Sequence, residues 1–265
     1  MIKIEIDELK KLQLDILCYV DQFCRENDIN YWIDCGTLLG AVRHKGYIPW
    51  DDDIDIGMLR SDYDKFTRIF NNNSRYSFLC AEKNDEYYFP FGKVVDNNTV
   101  LYEPNKQGYK LAVYIDVFVY DNAPDDDKKL TSMYNRRDFW RKLNNAQTRH
   151  HRKTNNMWKE ALVKVGTFML QIFPKGYFNY KAINVCLKYK NINTKRVGNF
   201  TSEKRMVCEK DIFREFIDLP FENHLFKAPI GYDKWLKAFY GNYMKLPSKE
   251  KQVSHHEFEA YYKEQ

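Results

Sequence analysis

Over the first 27 residues apolar side chains recur at three- and four-residue spacing, at Leu9, Leu12, Ile16, Val20 and Phe23. That period predicts an amphipathic helix ending near Asn27, with one face set against a sheet. The pattern then shortens. Tyr31–Asp34 reads as a strand, and Gly36, Thr37 and Leu38 turn the chain into a helix running to about His44, ahead of the Pro49 and Trp50 break. From Asp53 to Met58 acids alternate with Ile54 and Ile56, the two-residue period of a strand. Ser61, with Asp64 three residues on, is placed to cap the next helix. Short strands are expected at Ser77–Ala81, Gly92–Val95 and Thr99–Tyr102, with Asp96, Asn97 and Asn98 turning the chain between the last two. Ala112–Val119 is the clearest strand, since Val113, Ile115, Val117 and Val119 make one face wholly aliphatic.

Beyond Asp121 the character changes to helical segments near 126–150, 156–173 and 178–190. A hairpin or loop follows at Pro220–Pro229, then a helix at Tyr232–Tyr240 stopped by Gly241, and an extended tail after Pro247. The expected class is therefore α/β (α+β): a mixed sheet with flanking helices and a helical annex. We read 1–265 as a single domain, with a core over 1–125, the annex over 126–197 and a C-terminal part over 198–265.

Composition narrows this without changing it. Hydrophobic residues at 44% and charged residues at 30% describe a globular chain, not a disordered one. A formal charge of +5 favours anionic ligands but is too small to imply nucleic acid. Six scattered cysteines signal neither a zinc site nor a disulfide framework. The N-terminal residues lack the apolar stretch of a signal peptide. Ala161–Phe173, the longest apolar stretch, contains Lys164 and Gln171 and falls short of the roughly 20 residues needed to span a bilayer. We expect a cytoplasmic protein.

The chemistry concentrates in Asp51, Asp52, Asp53 and Asp55. Residues two apart on a strand point the same way, so Asp53 and Asp55 present paired carboxylates while Ile54 and Ile56 enter the core. Adjacent anions repel, and a hard divalent cation, Mg2+ or Mn2+, would relieve them. Asp116 sits between Tyr114 and Phe118 and needs a partner if buried. If its strand lies beside Asp53–Met58, it completes a carboxylate triad. Upstream, Gly36 and Thr37 open a helix where amides and a hydroxyl could cradle phosphate. Arg43 and His44 are further candidates for phosphate, or for pairing with Asp51 and Asp52; Lys45 reads as solvent-exposed. Lys93, on its own strand beside Val94 and Val95, is another phosphate candidate. Trp50, Trp32, Tyr87 and Tyr88 could supply aromatic faces to a quaternary ammonium. The basic stretch Arg136–Lys153, with Phe139, Trp140 and the apolar helix after it, reads either as a solvated face or as an interfacial surface toward anionic lipid.

Gly36–Met58, GTLLGAVRHKGYIPWDDDIDIGM, resembles the signature of the LicD family of phosphocholine transferases, shared with the fukutin-related ribitol-phosphate transferases. PFGKVVDNNTVLYE, YIDVFVYD and IGYDKWLKAFYGNYMKLP, with the later His255 and His256, resemble the family's downstream blocks in order, leaving 126–197 least specific. Asn242 departs from the acid common in relatives, and Thr37 replaces a serine of the wider superfamily. The resemblance implies a nucleotidyltransferase-like fold in which Asp53, Asp55 and Asp116 hold the metal and act catalytically, with His255 and His256 reaching substrate. It also implies a CDP-alcohol donor, CDP-choline foremost, and a glycan or lipid-linked glycan acceptor of teichoic-acid or lipopolysaccharide type. Peripheral contact with the inner membrane face would suit such an acceptor. The same site could instead transfer ribitol phosphate, glycerol phosphate or phosphoethanolamine, or a nucleotidyl group; a glycan-binding protein that has lost catalysis is the non-enzymatic alternative.

Overall fold

A computed structural model of the chain describes residues 1–102, 111–148, 157–253 and 258–264. Its first half comprises β1 (Ile2–Ile4), α1 (Ile6–Glu26), β2 (Trp32–Ile33), α2 (Cys35–His44), β3 (Asp55–Leu59), α3 (Arg60–Ile69), β4 (Tyr76–Leu79), β5 (Gly92–Asp96), β6 (Thr99–Tyr102) and β7 (Tyr114–Ala123). Then come α4 (Asp127–Thr148), α5 (Met157–Leu170) and α6 (Tyr177–Cys186), followed by β8 (Arg196–Asn199) and β9 (Met206–Glu209). The hairpin β10 (Phe216–Phe221) and β11 (His224–Pro229), the helix α7 (Tyr232–Tyr240) and β12 (Glu259–Tyr262) close the chain.

The aliphatic strand β7 is the spine. Along one edge it pairs in parallel with β3, and along the other it pairs antiparallel first with β5 and then with β8. With β2 outside β3, β4 outside β5 and β9 outside β8, the result is the mixed sheet expected of an α+β protein. Val113, Ile115, Val117 and Val119 bury against Ile54, Ile56 and Met58 and the apolar stripe of α1. Each such side chain contributes about 1.5–3 kcal/mol when fully removed from water. α3 is tied to the far end of β7 by Arg60, whose Nε and Nη2 donate to the two carboxylate oxygens of buried Asp121 at 2.7 and 2.9 Å.

Several expectations need correction. Asp53 lies before the strand, which begins at Asp55. Ser61 caps nothing: α3 starts at Arg60 behind Leu59, and no side chain caps it. Residues 97–98 do turn, but β5 and β6 do not form a hairpin. β5 stays in the main sheet, whereas β6 pairs with β12 in a small sheet completed by β1. Partners so far apart in the chain leave no local signal. The annex is built by α4 packed along α6, with α5 attached through Gln147, whose amide nitrogen Nε2 donates to the carbonyls of Leu170 and Phe173.

Candidate active site

The acidic segment is held from three sides. Gln13 of α1 donates to the carbonyl of Asp52 at 3.0 Å, and the Asp51 amide donates to the Ile48 carbonyl at 2.9 Å. From the β10–β11 turn, the Glu222 carboxylate accepts the Tyr47 amide at 3.0 Å, while the Glu222 amide donates to the Lys45 carbonyl. Carboxylate oxygens of Asp51, Asp52 and Asp53 come within 4.8 Å of one another. Gly36 lies directly under this loop: a Cβ there would sit 2.6 Å from Asp51 Oδ2 and would push that carboxylate aside.

Behind this loop a row of charge crosses three strands. Asp55 on β3 is the register partner of Asp116 on β7, and Asp116 is the register partner of Lys93 on β5. Asp55 is buried; desolvation holds its pKa well above the usual carboxylate value, and Asp53, Asp116, Asp34 and Asp51 add repulsion in that order. Asp34, the residue preceding α2, is fully buried and pushed up by burial to about 6, partly offset by the Tyr120 hydroxyl donating to it at 2.8 Å. Crowded, desolvated carboxylates are a donor set for a hard cation.

Lys93 does not reach into open space as a phosphate ligand would. Its ammonium pairs with Asp116 and lies over the ring of Tyr114, 3.3 Å from the centroid, with Phe91 and Phe89 at 5.0 and 5.4 Å. Thr37 is also redirected. Its buried hydroxyl accepts the Asp55 amide at 2.9 Å, locking α2 to β3, so Thr37 positions the acids while Cys35 and Gly36 face the cleft. Cys35 opens α2 with φ of 46°, a left-handed backbone that a non-glycine residue adopts at a cost of order 1–3 kcal/mol.

Of these groups Cys35, Gly36, Asp51 and Asp55, with Trp50, line one side of a cleft of about 750 Å³; Asp53, Lys93 and Asp116 are not among its lining residues. Arg43 lines it too, and its Nη1 donates to the Tyr243 carbonyl at 2.7 Å; burial lowers its pKa. His44 packs edge-on against Trp50, and burial followed by the Arg43 charge lowers its pKa. The opposite wall belongs to the annex and the C-terminal part: Arg141, Asn144, Lys204, Tyr240 and Lys245. Arg141, Lys204 and Lys245, with Glu203 among them, thus face Asp51 and Asp55 across a space sized for a nucleotide-linked small molecule.

Comparison with known proteins bears on the same segment. The family model described as LicD/FKTN/FKRP, nucleotidyltransferase domain, matches residues 28–161. Over 270 aligned residues the chain is 30% identical to the lipopolysaccharide cholinephosphotransferase LicD of Haemophilus influenzae, covering 98% of this chain and 99% of that protein. The chain belongs to the LicD family. Shorter likenesses cover 65 residues at 48% identity to an uncharacterised protein of Rickettsia typhi, 24% of this chain and 21% of that one. Another covers 34 residues at 50% identity to the human ribitol 5-phosphate transferase FKRP, 13% of this chain and 7% of that protein. Membership makes the chain a transferase.

Against this LicD frame, the aromatic candidates separate. Trp50 and Tyr88 line the cleft. Trp32 does not: it is buried in the core, its ring 4.2 Å from that of Phe213 and over Gly57, where a Cβ would meet it at 2.6 Å. Tyr87 is likewise buried among Tyr88 and Phe89 and is absent from the cleft lining. His255 and His256 lie outside the described residues, as do Arg149 to Lys153. Sequence reasoning missed the annex wall. Asn179 donates to the carbonyls of Tyr87 and Phe89 at 3.2 and 2.7 Å, and Asn144 to that of Tyr88 at 3.0 Å, so two buried amides hold the aromatic segment over the acids. The available signal was Asn144, Asn145 and Thr148 sharing about one helical turn, a polar face that reads as solvated until another element covers it.

Proposed function

We propose that the chain transfers phosphocholine from CDP-choline to a hydroxyl of a cell-surface glycan precursor, of lipopolysaccharide or teichoic-acid type, with a divalent cation. The observation that carries this reading is that Asp51 and Asp55 line one wall of a cleft whose other wall carries Arg141, Lys204 and Lys245, with Asp116 directly behind Asp55 in register and Asp53 close enough to repel it. LicD of Haemophilus influenzae, related over nearly the whole chain, is named for the same transfer to lipopolysaccharide.

Mg2+ or Mn2+ held by Asp53, Asp55 and Asp116 would neutralise charge on the donor's diphosphate and on the departing nucleotide. Arg43, Arg141, Lys204 and Lys245 line the cleft and supply further positive charge to phosphate oxygens. Trp50 and Tyr88 offer ring faces to the trimethylammonium of choline. Asp116, set beside the Lys93 ammonium, orients the acceptor hydroxyl and receives its proton as the new oxygen–phosphorus bond forms. The bond from phosphorus to the bridging oxygen breaks, and CMP leaves. Accelerating such a transfer a millionfold requires about 8 kcal/mol of transition-state stabilisation, within reach of fixed charges in a cleft.

The acceptor's chemistry suits an enzyme working from the cytoplasm, peripherally at the inner membrane face; no helix among the described residues is long and apolar enough to cross a membrane. The test is a panel of CDP-choline, CDP-ribitol, CDP-glycerol and CDP-ethanolamine with Mg2+ and a glycan acceptor, reading the nucleotide product. Preferential CMP release from CDP-choline supports the reading. Preference for another CDP-alcohol reassigns the cargo, and pyrophosphate release from CTP would replace it with nucleotidyl transfer.

A further inference from the structure

The helix α5 is oriented opposite to an ordinary amphipathic helix. Val163, Thr167 and Leu170, at i, i+4 and i+7, are its half-buried inner positions. The outer stripe, Trp158, Leu162, Val165 and Met169 at i, i+4, i+7 and i+11, is exposed, from 59% for Val165 to 81% for Trp158, and Phe168 beside it and Ile172 in the turn after the helix are 75% and 76% exposed. Apolar residues at that spacing turned outward call for a cover.

Charge selects the cover. From Ala161 to Ser202 the chain has no Asp or Glu, while it carries Lys164, Lys175, Lys181, Lys188, Lys190, Lys195 and Arg196. Of these, Lys190 and Arg196 pair with Asp64 and Asp127, and Lys164 too interacts within the chain, so the charge left to a partner rests on the others. Between α4 and α6 runs a groove of about 840 Å³ lined by Lys129, Arg136, Lys181 and Lys188 with Trp140 and Tyr189, and no carboxylate lines it among the described residues. The two features are continuous: Phe173, just past α5, packs on Phe178 at 5.2 Å, and Phe178 stacks on Trp140 at 6.4 Å. A second copy of the chain would bring two cationic grooves together. An anionic surface with an apolar interior satisfies both the stripe and the groove.

Resting on the peripheral placement proposed above, we infer that the annex docks on an anionic lipid bilayer, with the outer stripe of α5 entering the acyl boundary and the α4–α6 groove binding lipid phosphate. The cleft shares α4 and α6 with this surface, since Arg141, Asn144 and Asn179 line it, so docking would bring the transfer site to a lipid-linked acceptor.

The test is flotation of the purified chain with phosphatidylcholine vesicles and with vesicles containing about one-third phosphatidylglycerol. Binding to the anionic vesicles, weakened by salt and lowered about tenfold or more in Leu162→Glu/Ile172→Glu, is the expected result. In the same variant, CMP release from CDP-choline with a soluble acceptor stays at the wild-type rate. Equal binding to neutral vesicles, or no flotation together with a dimer by light scattering, overturns the inference. Failure of the transferase reading would instead appear as absent CMP release with vesicle binding intact. Lys181→Glu/Lys188→Glu tests the groove separately and should abolish the preference for anionic lipid.

Discussion

Replacing Lys93 by Met tests the charge row at the centre of the site. The ammonium is buried on β5, pairs with the Asp116 carboxylate on β7 and is enclosed by the rings of Tyr114, Phe91 and Phe89. Methionine fills much of the same volume but removes the charge beside a buried carboxylate. Breaking a buried ion pair from one side costs about 3–5 kcal/mol, and the lost cation–π contacts add about 2 kcal/mol, against which the apolar methionine recovers part through packing. We expect a net loss of about 3 kcal/mol, which for a chain of this length lowers Tm by roughly 6–12 °C. Thermal unfolding by circular dichroism reads this directly. Two controls isolate the cause. Lys93→Met/Asp116→Asn, with both charges gone, should return to within about 1 kcal/mol of wild type, a coupling that independent sites do not show. Mg2+ should restore more stability to the single variant than to wild type, because it replaces the missing positive charge. A Lys93→Met protein as stable as wild type, or a double variant no better than the single, would refute the reasoning.

Three further outcomes follow from named contacts. Burial raises the folded-state pKa of Asp34 from 3.8 to about 6, so the associated stability is complete below about pH 4 and is lost as pH rises through 6, leaving a cost of about 3 kcal/mol at pH 7. Asp34→Asn, which keeps an acceptor for the Tyr120 hydroxyl, should therefore be the more stable protein in urea at pH 7 and lose that advantage near pH 4; a difference independent of pH contradicts this. Gly57→Ala places a Cβ 2.6 Å from the Trp32 ring and should cost about 1–3 kcal/mol of unfolding free energy, whereas an unchanged urea midpoint would show that the close approach is not real. Asn179→Ala removes donors to Tyr87 and Phe89 and should raise KM for the donor up to about tenfold with kcat little changed; a selective fall in kcat would mean that Asn179 acts on the reacting atoms.

Elements with a strong local period were readable from the sequence. The helix through Leu9, Leu12 and Ile16, the aliphatic face of β7 and the Gly241 stop after α7 follow from spacing and backbone preference alone. The acids were legible only in part: Asp116 was expected beside the acidic strand if the two strands were neighbours, which the β3–β7 register supplies, whereas Asp53, expected on the strand with Asp55, precedes it. What escaped notice depends on partners distant in sequence. β1 and β12 pair across nearly the full chain, and β8 and β9 are four residues long with no clear alternation. Lys93 read as a phosphate ligand because nothing in its neighbourhood names Asp116, which only the register of β5 and β7 supplies. Gln13, Glu222 and Asn179 look like surface residues until the loop or aromatic segment they hold is folded onto them.

The central claim is that carboxylates around Asp55 serve a divalent cation in breaking the donor's diphosphate. Its most direct test is CMP formation from CDP-choline, with Mg2+ or with chelator, by wild type and by Asp55→Asn of verified fold. Turnover should require Mg2+, rise with pH as buried Asp55 gives up its proton, and fall on the order of a thousandfold in the variant. Wild-type turnover in chelator, or an Asp55→Asn protein with undiminished activity, would contradict it.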